Sequence, residues 1–262
     1  MQRREPIDTG TGGPTVDDRL LTILGFGLAM SAIALVGGLL ALAPDRFLRR
    51  ALPPTVAFAA GALVGGAFLF MLPRALEDGT AEAPVLEFAI LGFTIMLALD
   101  QLLEWHHCHR PPGHHVRPLG PLLLVADGLH NLLGGLAIGS LFVIDLRAGI
   151  AAWIAAALHE LPQEFGDFGA IVQAGFSRRR ALLYNFLSAL TFPLGAVAAW
   201  ALDGAGDLRL LVALGAGNFV YIAAADLIPE VKRSPELAQT TLRFVAFVTG
   251  VILLWVGRAM SS

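Results

Sequence analysis

LLTILGFGLAMSAIALVGGLLALA, residues 20–43, runs for 24 positions without an Asp, Glu, Lys, Arg or His, and this decides the class of fold. A helix needs about 20 mostly apolar residues to cross the hydrocarbon of a bilayer. Residues 55–72 and 181–202 are likewise free of Asp, Glu, Lys and Arg. Three such segments in one chain predict a polytopic α-helical membrane protein.

Composition agrees. Of 262 residues 56% are hydrophobic and only 15% charged, against about 25% charged in an ordinary soluble domain, and the mean hydropathy is +0.69. The net charge of -3 comes with no basic stripe interleaved with aromatics, which excludes nucleic acid as a partner and leaves the lipid bilayer as the first one. Cys108 is the only cysteine, so no intrachain disulfide or Cys-rich zinc knuckle can form, and a bound metal must be held by nitrogen and oxygen.

Hydropathy and the Pro, Gly and charge clusters between apolar runs predict eight spans, near 20–43, 54–73, 84–105, 118–144, 148–173, 180–202, 208–229 and 238–259. Residues 1–19 read as a polar extracytoplasmic segment, and the run after them is too long for a signal-peptide core, so it is expected to be retained as the first span. Of the 18 basic residues, 11 fall on one side of this topology, including Arg178, Arg179, Arg180 and Lys232, and 7 on the other. Cytoplasmic loops are enriched in Lys and Arg, so the first side is expected to be cytoplasmic and both termini outside.

The connection EWHHCHRPPGHHVRP, 104–118, holds five of the seven histidines, namely His106, His107, His109, His114 and His115. A His-rich cytoplasmic loop, 106–117, suits weak collection of metal at the membrane mouth, whereas the bland alternative is a solvated loop. His130 and His159, the two remaining histidines, lie in mid-span. Each has polar company: ADGLHNLLGGLAIG, 126–139, carries Asp127, His130 and Asn131, and ALHELPQEFGDFGA, 157–170, carries His159, Glu160, Gln163, Glu164 and Asp167.

A carboxylate at mid-bilayer costs about 2.5–3.5 kcal/mol on insertion scales, so three in one span need partners or water. On a helix His159, Gln163 and Asp167 share a face, with Glu160 and Glu164 forming the neighbouring stripe. Pro162 removes a backbone hydrogen bond near Leu158, and Gly134 with Gly135 thins the fourth span, which favours kinked, closely packed helices around a polar cavity. Imidazole with carboxylate suits zinc and neighbouring first-row ions better than calcium or magnesium. A buried hydrogen-bond network that only ties two helices together is the competing structural reading.

These two segments resemble the paired signature of the ZIP, or Zrt/Irt-like, metal transporters, in the branch with a His-rich loop before the fourth helix. NFLSALTFPLGA at 185–196 and YIAAADLIPE at 221–230 extend the resemblance. It implies eight transmembrane helices, a homodimer in the plasma (inner) membrane, and movement of zinc first, with iron, manganese and cadmium as further cargoes, into the cytoplasm. It also implies a metal centre between helices four and five, built on His130–Asn131 and His159–Glu160, with Gln163 and Glu164 as further candidate ligands. A bundle of helices one, four, five and six is expected to slide against the rest, with Gly37–Gly38, Gly65–Gly66 and Gly134–Gly135 as close sliding contacts. Three departures bear on this: Gly134 stands where the family has a carboxylate, Gln163 where it commonly has a His or carboxylate, and Phe70 where this branch often has a His. They point to one ion rather than two, and leave a metal-binding member without transport as the alternative. HELPQ at 159–163 also approaches the HExxH pattern of zinc proteases, an enzyme reading disfavoured by Gln163 in place of the second His and by Pro162 inside the motif.

Single cysteines replacing Arg179 and Asp203 in a Cys108-free background are expected to be labelled from opposite sides of the membrane; labelling from the same side would refute the eight-span topology.

Overall fold

A computed structural model describes residues 16–40, 44–77, 84–108, 119–232 and 236–259. The described residues form eight successive helical rods. They are α1, Val16–Leu40; α2, from Asp45–Gly65 through a wide turn Gly66–Met71 to Leu72–Leu76; α3, Val85–Cys108; and α4, Leu119–Ile144. After these come α5, Leu146–Gln173; α6, Arg178–Ala189 and Thr191–Ala201; α7, from Leu208–Tyr221 through a second wide turn Ile222–Leu227 to Ile228–Lys232; and α8, Leu237–Ala259. Every expected span coincides with one rod. The His-rich stretch from His109 to Arg117, the polar segment before Val16 and the termini lie outside the described residues.

Seven rods are long and apolar enough to cross a membrane by length and composition. The exception is α5, and its second half explains it, because His159, Glu160, Gln163, Glu164 and Asp167 all fall there. The polar helix sits inside: His159, Glu160 and Glu164 are each no more than 3% exposed. Leu86, Ile90 and Leu91 of α3, and Phe244 and Trp255 of α8, turn apolar side chains outward as a lipid solvent demands.

Both wide turns end just before a proline, Pro73 in α2 and Pro229 in α7. Proline lacks the amide that would bond four residues back and its ring crowds that carbonyl, so the preceding turn opens to i→i+5 pairing. The widened turns bracket the polar centre, with Gly66 on one against Ala155 of α5 and Ile222 on the other lining a cavity beside His130.

Polar bonds between rods divide the bundle into two groups. In the first, Ser31 Oγ donates to the Ala189 carbonyl (2.8 Å), Trp153 Nε1 to the Phe26 carbonyl (2.9 Å) and Thr191 Oγ1 to the Gly128 carbonyl (2.6 Å), tying α1, α4, α5 and α6 together. In the second, Tyr221 Oη donates to Asp100 Oδ2 (2.7 Å) between α7 and α3. Glycine seams do the rest. A Cβ at Gly61 would lie 2.0 Å from the Phe247 carbonyl oxygen, joining α2 to α8, and one at Gly217 would lie 1.8 Å from that of Ala89, joining α7 to α3.

The glycines expected at a sliding surface mostly lie elsewhere. A Cβ at Gly135 would lie 2.0 Å from the Phe192 carbonyl oxygen, and Gly65 meets Leu254 of α8, so both belong to fixed seams inside one group. Backbone in direct contact with backbone leaves no slack for movement. Glycine contacts between the groups are Gly66 against Ala155 and Gly215 against Ala137.

Gly135→Ala is therefore expected to cost about 2–3 kcal/mol, whereas Gly25→Ala, with nothing within 4 Å of the added carbon, should be neutral or stabilising by up to about 1 kcal/mol. Thermal unfolding of both variants in detergent, followed by circular dichroism, checks the contrast.

Candidate metal centre

α4 and α5 are joined by a connection of one residue, Asp145, whose carboxylate accepts the backbone amides of Arg147 (2.8 Å) and Ala148 (3.1 Å). So short a link fixes the two helices side by side and antiparallel, bringing His130 opposite His159 and Glu160. His130 Nε2 lies 3.2 Å from Glu160 Oε1 and 3.3 Å from His159 Nε2, and the third side, His159 Nε2 to Glu160 Oε1, is 3.6 Å. The three residues are 5%, 2% and 3% exposed.

A regular tetrahedron around an ion held at zinc–nitrogen and zinc–oxygen distances has edges of about 3.3–3.4 Å. The observed triangle is close to one face of such a figure, with the fourth vertex left over. Its chemistry also asks for a cation. Two imidazole nitrogens face each other and cannot both donate, and Glu160 Oε2 is buried with no hydrogen-bond partner among the described residues. A metal ion would use all three converging lone pairs at once.

The neighbouring polar groups are engaged elsewhere. Asn131 Nδ2 donates to Asp127 Oδ1 (2.9 Å), and Ser188 Oγ of α6 donates to Asp127 Oδ2 (2.5 Å). Glu164 accepts from Asn185 Nδ2, also on α6. Of the six residues expected as ligands, His130, His159 and Glu160 converge. Asn131 holds Asp127 within α4, Glu164 ties α5 to α6, and Gln163 stands on the wall of a cavity that also reaches His130. Gly134 faces the Phe192 ring, 3.5 Å from where its Cβ would be. In the sequence, Asn185, Ser188 and the Asp100–Tyr221 pair carry only the signal of a polar residue inside an otherwise apolar span.

That cavity holds about 310 Å³ and is lined by Val56, Asp100, Asp127, His130, Gln163 and Tyr221, among others. All six lie in the half of the bundle towards the connections 41–44, 109–118, 174–177 and 233–236. At the opposite end a separate cavity of about 190 Å³ is lined by Phe70, Arg74, Glu77, Asp145 and Arg147. Between the two stand Met71, Ala137, Ala155 and Phe219, each 0–1% exposed. The centre is thus reached from one end and closed from the other.

Comparison with known proteins agrees with this architecture. The family model described as ZIP Zinc transporter matches residues 104–256. Zinc transporter foi of Drosophila melanogaster is 34% identical over 161 residues, which cover 59% of this chain and 23% of that protein. Human Zinc transporter ZIP10 is 35% identical over 141 residues, covering 48% and 17%. Zinc transporter zipt-7.1 of Caenorhabditis briggsae is 26% identical over 272 residues, covering 77% and 69%. The chain spans less than a third of the length of the first two of these relatives. The matched segment runs from the end of α3 into α8 and so includes every residue of the triangle; with membership of a transporter family the protease reading of HELPQ falls away, and the chain belongs to the ZIP zinc transporter family.

Proposed function

We propose that this chain carries divalent transition-metal ions, zinc first, across the membrane and into the cytoplasm through the centre between α4 and α5. The observation that carries the reading is the buried triangle of His130 Nε2, His159 Nε2 and Glu160 Oε1, set where a cavity ends inside the bundle. A transported ion must be held well enough to shed water and loosely enough to leave, and three ligands with an open fourth position meet that condition. Iron, manganese and cadmium can use the same nitrogen and oxygen donors. Gln163 is a candidate for the fourth position, because it lines the cavity together with His130. One ion is expected, since Gly134 supplies no ligand.

The Arg-rich connections and the mouth of the larger cavity fall at the same end of the bundle, which supports a conformation open to the cytoplasm with extracytoplasmic termini. Passage then requires the two helix groups to shift so that the other end opens. Arg74 holds that end: its Nε lies 3.6 Å from Asp145 Oδ2, its Nη2 lies 3.5 Å from the Ile144 carbonyl, and it also pairs with Glu77. It therefore ties α2 of one group to the α4–α5 link of the other. A homodimer in the plasma membrane is the assembly that the resemblance supports.

His159→Ala and Glu160→Ala are each expected to weaken zinc binding by at least about 100-fold, since even an outer-shell partner of a metal site is worth 10–100-fold. Both variants should stay inserted and folded. Isothermal titration in detergent and zinc uptake into proteoliposomes test this, and parent-like binding by both would refute the site.

Arg74→Gln should loosen the closed end. A cysteine replacing Ala148, which is 6% exposed beside the smaller cavity, should then react several-fold faster with an impermeant thiol reagent from the extracytoplasmic side, in a Cys108-free background.

A further inference from the structure

Asn218 lies inside α7 with 0% exposure, and neither its Oδ1 nor its Nδ2 has a hydrogen-bond partner among the described residues. A carboxamide in a membrane interior with all its hydrogen-bonding capacity unused is a standing cost that any apolar residue of similar size would remove. It serves neither a helix cap nor a bond to another rod.

Its surroundings give it a place on a route. Tyr221 and Ile222, three and four residues on and hence on the same side of the helix, both line the larger cavity. Three residues back, a Cβ at Gly215 would lie 2.1 Å from Ala137 Cβ of α4 and 2.9 Å from Met71 Cε of α2, within the contacts that close the bundle beyond that cavity. Asn218 therefore stands between the blind end of the open cavity and the plug. The next residue, Phe219, packs its ring against His159 at a centroid distance of 5.9 Å. Because α4 and α7 run antiparallel and Gly215 meets Ala137, three residues along each helix brings Asn218 level with Gly134. A Cβ at Gly134 would meet the Phe192 ring of α6 and no atom of Asn218 within 4 Å.

Resting on the transport reading above, we infer that Asn218 is a second polar station for the ion, one helical turn from the His130–His159–Glu160 centre towards the closed end, where its carboxamide oxygen replaces part of the hydration shell of a divalent cation crossing between the two helix groups. A neutral oxygen donor binds such an ion weakly, as a transit position requires, and would not compete with two imidazoles and a carboxylate at equilibrium. Asn218 then acts on the rate of passage and leaves affinity at the main centre alone.

The test compares parent, Asn218→Leu and Asn218→Ser in three measurements with zinc: uptake into proteoliposomes, titration in detergent and thermal unfolding. Asn218→Leu should lower uptake about ten-fold or more while zinc affinity stays within about two-fold and the melting temperature is unchanged or higher, because a costly buried amide has gone. Asn218→Ser, which keeps a neutral oxygen, should hold uptake within about three-fold of the parent. Uptake by Asn218→Leu equal to the parent's would overturn the inference. So would a fall in uptake accompanied by a lower melting temperature in both variants, which is the signature of a packing role. A parent that binds zinc but takes up none would instead sink the transport reading itself.

Discussion

Glu160 Oε1 between the imidazoles of His130 and His159 is the interaction on which the rest of this bundle depends. A carboxylate removed from water inside a bilayer is costly, and a partner beside it recovers only part of that cost unless the geometry is good and the remaining lone pairs are used. Here one oxygen meets two ring nitrogens and the other is left over. The arrangement is poor as a structural ion pair and good as three corners of a coordination shell. That asymmetry distinguishes the triangle from the helix-joining pairs around it more clearly than burial does.

The groups around the triangle behave in the opposite way. Asp127 is saturated by Asn131 and Ser188, and Glu164 is held by Asn185, so these polar groups bind α4 and α5 to α6 and fix the depth at which the two histidines meet. Thr191, Ser31 and Trp153 extend the same logic with bonds to main-chain carbonyls. Polar residues in this membrane protein thus differ in kind: some pair up and fasten helices, whereas Glu160 Oε2 is buried with no partner among the described residues.

Glycine has an equally divided role. Gly61, Gly135, Gly195 and Gly217 let backbones touch inside each helix group and so make two stiff bodies. Between the bodies Gly66 meets Ala155 and Gly215 meets Ala137, and Met71, Phe219 and the salt bridge from Arg74 to Asp145 stand towards one end. Cavities lie at the two ends of the interface between these bodies.

The number of spans, their limits to within a few residues and the pair of helices carrying the histidines were all legible in the chain, because a bilayer permits few backbone solutions and taxes each charge by depth. The triangle's members were legible too, as the mid-span residues with both nitrogen and oxygen donors. Periodicity alone could not tell Glu160 from Glu164, which differ by one helical turn and have different partners, nor foresee that Asn131 turns to Asp127. It also could not separate Gly66, which meets the other helix group, from Gly65, Gly134 and Gly135, which meet their own, since a glycine in a sequence shows that a close approach is allowed without naming the helix that approaches. By itself, then, the sequence determined a polytopic helical protein whose buried nitrogen and oxygen donors lie in α4 and α5. Tertiary structure alone decided which donors converge, which end of the bundle is open and that Asn218 is left unpartnered, because these depend on distances between helices that no pattern along one chain encodes.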